Sequence, residues 1–182
     1  MEFLEKDLEQ IIWEASDNDL EDAGLDFYGK RFRQLRIGNY GIADLVTVQR
    51  ESIYSESEYI KNGKRKIIDS YLVITVYELK KDKIGVGAFL QAIGYVKGIQ
   101  SYLNKRNFEN FIFRIKLVGS DIDNSGNFCF LPDLINNTSK PCDEPMYSNG
   151  YIEDVSFYTY HITLKGLKFK CHSGYSLTNE GF

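Results

Sequence analysis

The chain has 182 residues and a formal net charge of −4; 43% of it is hydrophobic and 14% aromatic, with 13 Tyr and 12 Phe. That is apolar material for one domain with a real core, and no run of 18 apolar residues predicts a membrane span. The acidic balance argues against non-specific nucleic-acid binding, which depends on cationic charge.

Residues 2–15 predict a helix, because Phe3, Leu4, Leu8, Ile11 and Ile12 recur near helical spacing with Glu5, Lys6, Glu9 and Gln10 between them. This charged start lacks the apolar stretch of a signal peptide. Ser16–Asp22 reads as a polar loop. Phe27–Ile37 carries Lys30, Arg31, Arg33 and Arg36 among aromatics and reads as a strand or short helix. Gly38-Asn-Tyr-Gly41 is a turn, and Ile42–Val48 a strand. The polar stretch 49–69 reads as a hairpin about Asn62-Gly63, whose second arm runs into the apolar segment Tyr71–Lys80. Residues 85–104 predict a helix with Phe89, Ala92, Ile93, Val96, Ile99 and Leu103 on its apolar side. Strands are expected at Phe111–Val118 and Phe128–Leu131, an exposed loop at 136–151, and a terminal hairpin of Val155–Thr163 and Leu167–Cys171 about Lys165-Gly166. Cys129, Cys142 and Cys171 are widely spaced and odd in number, so they form neither a disulfide framework nor a zinc pattern; a reducing cytoplasm is the expected setting.

The segment Tyr71-Leu-Val-Ile-Thr-Val-Tyr-Glu-Leu-Lys80 reads as a buried strand that ends in charge. Side chains alternate along a strand, so Glu78 and Lys80 project from one side, in line with Leu72, Ile74 and Val76. Asp44 sits likewise among Ile42, Val46 and Val48. A carboxylate on an aliphatic face needs a partner or a metal, since an unpaired buried charge is costly. If the two strands are neighbours, Asp44 and Glu78 converge and could hold one Mg²⁺ or Mn²⁺, with Lys80 orienting a water or stabilising developing charge. Gln91 and Tyr95, four apart, share one helix face. Lys61, Lys64, Arg65 and Lys66 cluster in the hairpin, and Lys81 and Lys83 follow Lys80; each could grip a phosphate backbone. His161 and His172 read as structural, and no Ser-His-Asp arrangement or phosphate-binding loop occurs.

Taken in order, Glu5 within Glu5-Lys-Asp-Leu-Glu9, Gly41-Ile-Ala-Asp44, Glu78-Leu-Lys80 and Gln91-Ala-Ile-Gly-Tyr95 resemble the motifs of the PD-(D/E)XK nuclease superfamily, including the Gln-x-x-x-Tyr motif of its RecB-type branch. The resemblance covers roughly residues 3–118. It implies an α/β (α+β) restriction-endonuclease-like domain over 1–182, with a mixed central sheet flanked by helices and a β-rich extension from about residue 119. It implies Mg²⁺-dependent hydrolysis of DNA, with Asp44 and Glu78 as metal ligands, Lys80 positioning the water, Gln91 and Tyr95 beside the site, and Glu5 completing it from the first helix. Glu9 and Glu14 are rivals for that last role. A homodimer is expected by the same resemblance. The 33 residues between Asp44 and Glu78 exceed the family's common spacing, and the inserted hairpin accounts for them; Asp69 is the alternative acid. The alternative function is a binding module of the same fold with catalysis weak or lost, or a protein-interaction domain.

Overall fold

A computed structural model describes residues 3–59, 65–123, 150–164 and 166–172, with Ser125, Phe128 and Leu131; for residues 55–59 it describes the backbone alone. In chain order the elements are α1 (Glu5–Glu14), α2 (Asp17–Ala23), β1 (Lys30–Arg36), a 3₁₀ turn (Gly38–Tyr40), β2 (Ile42–Tyr59), β3 (Arg65–Leu79), β4 (Lys83–Ile84), α3 (Val86–Asn104), β5 (Phe111–Gly119), β6 (Asp121–Ile122), β7 (Ile152–Thr163) and β8 (Gly166–His172).

Six strands form one mixed sheet in the order β1-β2-β3-β5-β7-β8, and β4 pairs with β6 in a small parallel ladder. The first three strands are an antiparallel meander, β3, β5 and β7 are parallel, and β8 turns back on β7. The central strands are the most apolar. The last seven residues of β3 are all buried, as are eight of the nine in β5, the pattern of strands covered on both faces. The order β3-α3-β5 is a parallel crossover, which needs a helix to bridge two neighbouring parallel strands.

Helices cover both faces of the sheet. On one side Ala88, Phe89, Ala92, Tyr95 and Val96 of α3 meet Val46, Ile74, Val76, Phe113, Ile115 and Leu117. On the other, Leu8 and Ile12 of α1 and Leu20 of α2, with Leu25 and Phe27, meet Leu45, Tyr77, Leu79, Val118, Tyr158 and Tyr160. Among the described residues no helix is long and apolar enough to cross a membrane.

Two expectations are corrected. Ser16–Asp22 is not a loop, because Asp17–Ala23 is helical. The Ser16 hydroxyl accepts the Asp19 amide at 3.2 Å and the Asp19 carboxylate accepts the Ser16 amide at 3.4 Å, a capping box that starts the helix despite its acidic composition. Gly24, at φ 92, ends it in a left-handed cap, and the Leu25 amide reaches back to the Leu20 carbonyl at 2.8 Å. Nor is Phe128–Leu131 a strand: Phe128 lies in a 3₁₀ turn and Leu131 is helical. Phe128 is a core residue whose ring lies 5.1 Å from that of Phe157 and 6.3 Å from that of Phe89, so its burial comes from the space between α3 and the sheet.

The long hairpin is present as β2 and β3. Pairing of β3 with β5 starts only at Leu72, so the earlier part of β3 has β2 as its partner, and Tyr54, Ile67 and Ile68 are exposed there. Asn62 and Gly63 lie outside the described residues, as do Cys129, Cys142 and most of 136–151.

The capping box gives a direct test. Ser16→Ala is expected to cost about 1 kcal/mol, which for a chain of this size lowers the melting temperature by roughly 2–4 °C. Calorimetric scans of the variant and the parent check it; an unchanged midpoint would show that α2 owes nothing to this cap.

Candidate active site

At one end of the sheet, β2 begins where β3 ends. The two pair antiparallel up to Leu45–Tyr77, and the next step sets Asp44 opposite Glu78. The Leu79 amide donates to Asp44 Oδ2 at 2.9 Å in place of a further backbone bond. Lys80 Nζ donates to Glu78 Oε1 at 2.6 Å. The other oxygen, Glu78 Oε2, is buried and has no hydrogen-bond partner among the described residues, in a side chain only 2% exposed. The Lys80 amide bonds the Val118 carbonyl at 2.8 Å, which carries the alignment with β5 one residue past the strand.

Two helices close on this point from opposite faces. From α1, Glu5 Oε2 accepts the Lys81 amide at 3.2 Å. From α3, the buried Tyr95 ring lies against Gly41, where an added Cβ would stand 3.2 Å from the ring carbon Cε1; φ 112 at Gly41 also favours glycine. Gln91, exposed on α3, is within hydrogen-bonding reach of the Tyr95 hydroxyl. The four separated motifs thus meet at one strand end.

The electrostatics follow from burial. Desolvation pushes Glu78 up to about 7, with the Asp44 and Glu5 carboxylates adding to it and Lys80 opposing. Desolvation likewise pushes Asp44 up to about 6, against the Leu79 amide and Lys80, with Glu5 and Glu9 adding. Burial pulls Lys80 down, but the hydrogen bond and charge of Glu78 outweigh it and hold the ammonium above its ordinary range. Burial, then the charges of Glu78 and Asp44, raise Tyr95. Two carboxylates that resist ionisation and one buried oxygen without a donor make a site short of positive charge. That donor set fits a hard divalent cation such as Mg²⁺, which takes carboxylate oxygens and completes its shell with water or phosphate. No group of three or more His, Cys, Asp or Glu side chains is gathered as for a metal among the described residues; Asp44 and Glu78 are the carboxylates that would face such an ion.

Other expected residues fall elsewhere. Glu14 is bonded to Gln10 at the far end of α1, and Asp69 lies nine residues up β3 from Glu78, roughly 30 Å away at about 3.3 Å per residue. Glu9 is buried and accepts from Arg33 and Gln34. Arg65 and Lys66 are exposed at the other end of β3, roughly 40 Å from Glu78 by the same rise; Lys61 and Lys64 lie outside the described residues. Lys81 is half-buried beside the site, its carbonyl accepting the Tyr160 hydroxyl at 2.7 Å. Lys83 pairs with Asp121 at 3.2 Å where both are well exposed. The aliphatic face expected for Asp44 is also broken. Ile42 is 48% exposed, while Ala43 and Val46 both join the core under α3 and Leu45 joins the opposite one. Alternation therefore slips at Asp44. Beside it stands Gln34, which sequence reasoning missed, at φ 49 within β1. No residue pattern announces such a backbone.

Compared with protein-family models, curated proteins and solved structures, the chain matches none.

The raised carboxyls predict a pH signature. A group whose folded pKa lies above its unfolded value stabilises the fold below the ordinary carboxylate range and ceases to do so as pH rises through the folded value. With a chelator present, the parent should therefore lose melting temperature between pH 5 and pH 8 relative to Glu78→Gln, which cannot ionise. A constant difference across that window would contradict the assigned environment of Glu78.

Proposed function

We propose that the protein is a Mg²⁺- or Mn²⁺-dependent nuclease of the PD-(D/E)XK type that hydrolyses phosphodiester bonds in DNA. The observation that carries this reading is the buried, unpartnered Glu78 Oε2 lying across from Asp44, with the Lys80 ammonium on the neighbouring oxygen. A six-stranded mixed sheet flanked by helices, with the motif residues at one strand end, is the architecture that the restriction-endonuclease-like fold requires, and it supports that finer assignment.

In this reading Asp44 and Glu78 hold the cation, which when bound supplies Lewis acidity toward a phosphate oxygen and acidifies water. Lys80 is 25% exposed, so its side chain reaches solvent while anchored on Glu78. Held charged, it donates hydrogen bonds and does not accept a proton. Its role is to orient the attacking water and to stabilise charge that develops on the phosphate. Water adds to phosphorus as the P–O bond to the departing sugar oxygen breaks, leaving a phosphate monoester and a hydroxyl; the proton lost by the water reaches that oxygen through solvent. Tyr95 and Gln91 approach the acids from α3, and Glu5 fixes the chain just beyond Lys80 through the Lys81 amide. Lys81 and Lys83, which follow Lys80 in the chain, are proposed to contact phosphates. Lys61, Lys64, Arg65 and Lys66 would serve as a separate contact.

The test is cleavage of linear, circular and single-stranded DNA with Mg²⁺ or Mn²⁺, beside Asp44→Ala, Glu78→Ala and Lys80→Ala. Cleavage should require the metal. Each substitution should lower kcat by about 10²-fold or more, the scale of losing one preorganised electrostatic group. Cleavage surviving all three would remove these residues from the chemistry. Salt-sensitive DNA retention with no cleavage in any metal would favour the binding module instead.

A further inference from the structure

β1 and β2 pair antiparallel from Lys30–Val48 to Arg36–Ile42, and one step of that ladder is missing: the pair that would join Gln34 to Asp44. Gln34 is also the residue of β1 with a left-handed backbone, φ 49; the other described non-glycine residues with positive φ are Asn107 and Asn110, both outside helices and strands. Asparagine tolerates that region, whereas glutamine in a strand has no such preference. The gap coincides with the slip in alternation between Ala43 and Leu45. The Gln34 side chain is tied down, donating to Glu9, which Arg33 holds from its other oxygen. Glu9 itself is 6% exposed and packed within α1.

We propose that Gln34 is a positioning residue for the acid pair. Its left-handed backbone breaks the β1–β2 ladder at the step facing Asp44, and this releases Asp44 from β1 so that its carboxylate turns to the Leu79 amide beside Glu78. The Glu9–Arg33–Gln34 cluster lies against the break from α1 but the backbone conformation itself makes it. Strands commonly use such a local irregularity to re-aim one side chain. The proposal rests on the nuclease reading only in what Asp44 is aimed at; the aiming itself is a property of the protein alone.

The experiment compares Gln34→Gly, for which a left-handed backbone is easy, with Gln34→Val, for which it is strongly disfavoured. The first readout needs no metal: hydrogen exchange of the Leu79 amide, whose acceptor is Asp44, measured with a chelator and referred to the Val76 amide on the same strand. The second is Mn²⁺ affinity by calorimetry. In the valine variant the Leu79 amide should exchange about tenfold faster or more relative to Val76, and Mn²⁺ should bind about 10-fold or more weakly. The glycine variant should stay within about threefold of the parent in both. Should the valine variant fail to fold, Gln34→Ala replaces it, with the same direction of change expected. Leu79 protection retained in the valine or alanine variant would overturn the proposal, as would a glycine variant as impaired as valine. If the parent binds no Mn²⁺, the nuclease reading falls and the exchange data still decide the role of Gln34.

Discussion

The meeting of two carboxylates at the junction of β2 and β3 is the constraint around which the rest of the molecule is arranged. Taking an ionised carboxylate out of water costs several kcal/mol unless partners replace the lost hydration. Here one ammonium and one backbone amide each serve one oxygen of a pair of acids, and Glu78 Oε2 is left buried without a hydrogen bond among the described residues. Such a pair persists because large apolar surfaces on both sides of β3 hold the strand where it is. Fully buried side chains, including Tyr77, Leu79 and Leu117, flank Glu78 along β3 and its neighbour. The core thus supplies the stability and the strand end spends part of it on unfavourable electrostatics.

Backbone geometry adds to that cost. A non-glycine residue in the left-handed region gives up about 1–2 kcal/mol, a sizeable share of a net stability of about 5–15 kcal/mol for a typical domain. Gln34 bears that strain in the strand beside the acids, and Gly41 avoids it in the turn that seats Tyr95. Away from this end the chain is conventional. On the face not covered by α3, Arg114 on β5 bridges Glu51 of β2 and Glu153 of β7, and Lys116 is drawn under the Tyr77 and Tyr158 rings to reach Asp26. Both sew the sheet together; Arg114 pairs with Thr75, three steps up the strand from Glu78, and Lys116 with Tyr77, one step away.

Much of this was legible before any coordinates. The Tyr71–Lys80 strand could be read because it is apolar on both faces, and α3 because its apolar residues keep helical spacing over nineteen positions. Alternation puts Lys80 on the side of Glu78, and Asp44 joins them once β2 and β3 are neighbours; the places of Tyr95 and Glu5 follow only from the motif resemblance. The α2 helix is hidden by its polar composition, and its start is legible only in the Ser16–Asp19 spacing. The slip at Asp44 could not be read at all. Alternation assumes a regular ladder, and the sign of one φ angle at Gln34 is decided by what surrounds it. The basic cluster is visible in the sequence, but the distance of Arg65 and Lys66 from the acids depends on the length of β3.

The packing of α1 has its own corollary. A helix of ten residues is marginal by itself and holds its shape through packing, here largely through Leu8 and Ile12. The acids stand on β2 and β3, whereas Glu5 and Glu9 stand on this helix, on the face opposite α3. The two carboxylates that add to the charge around Asp44 are therefore held by a different hydrophobic layer from the one that seats Tyr95.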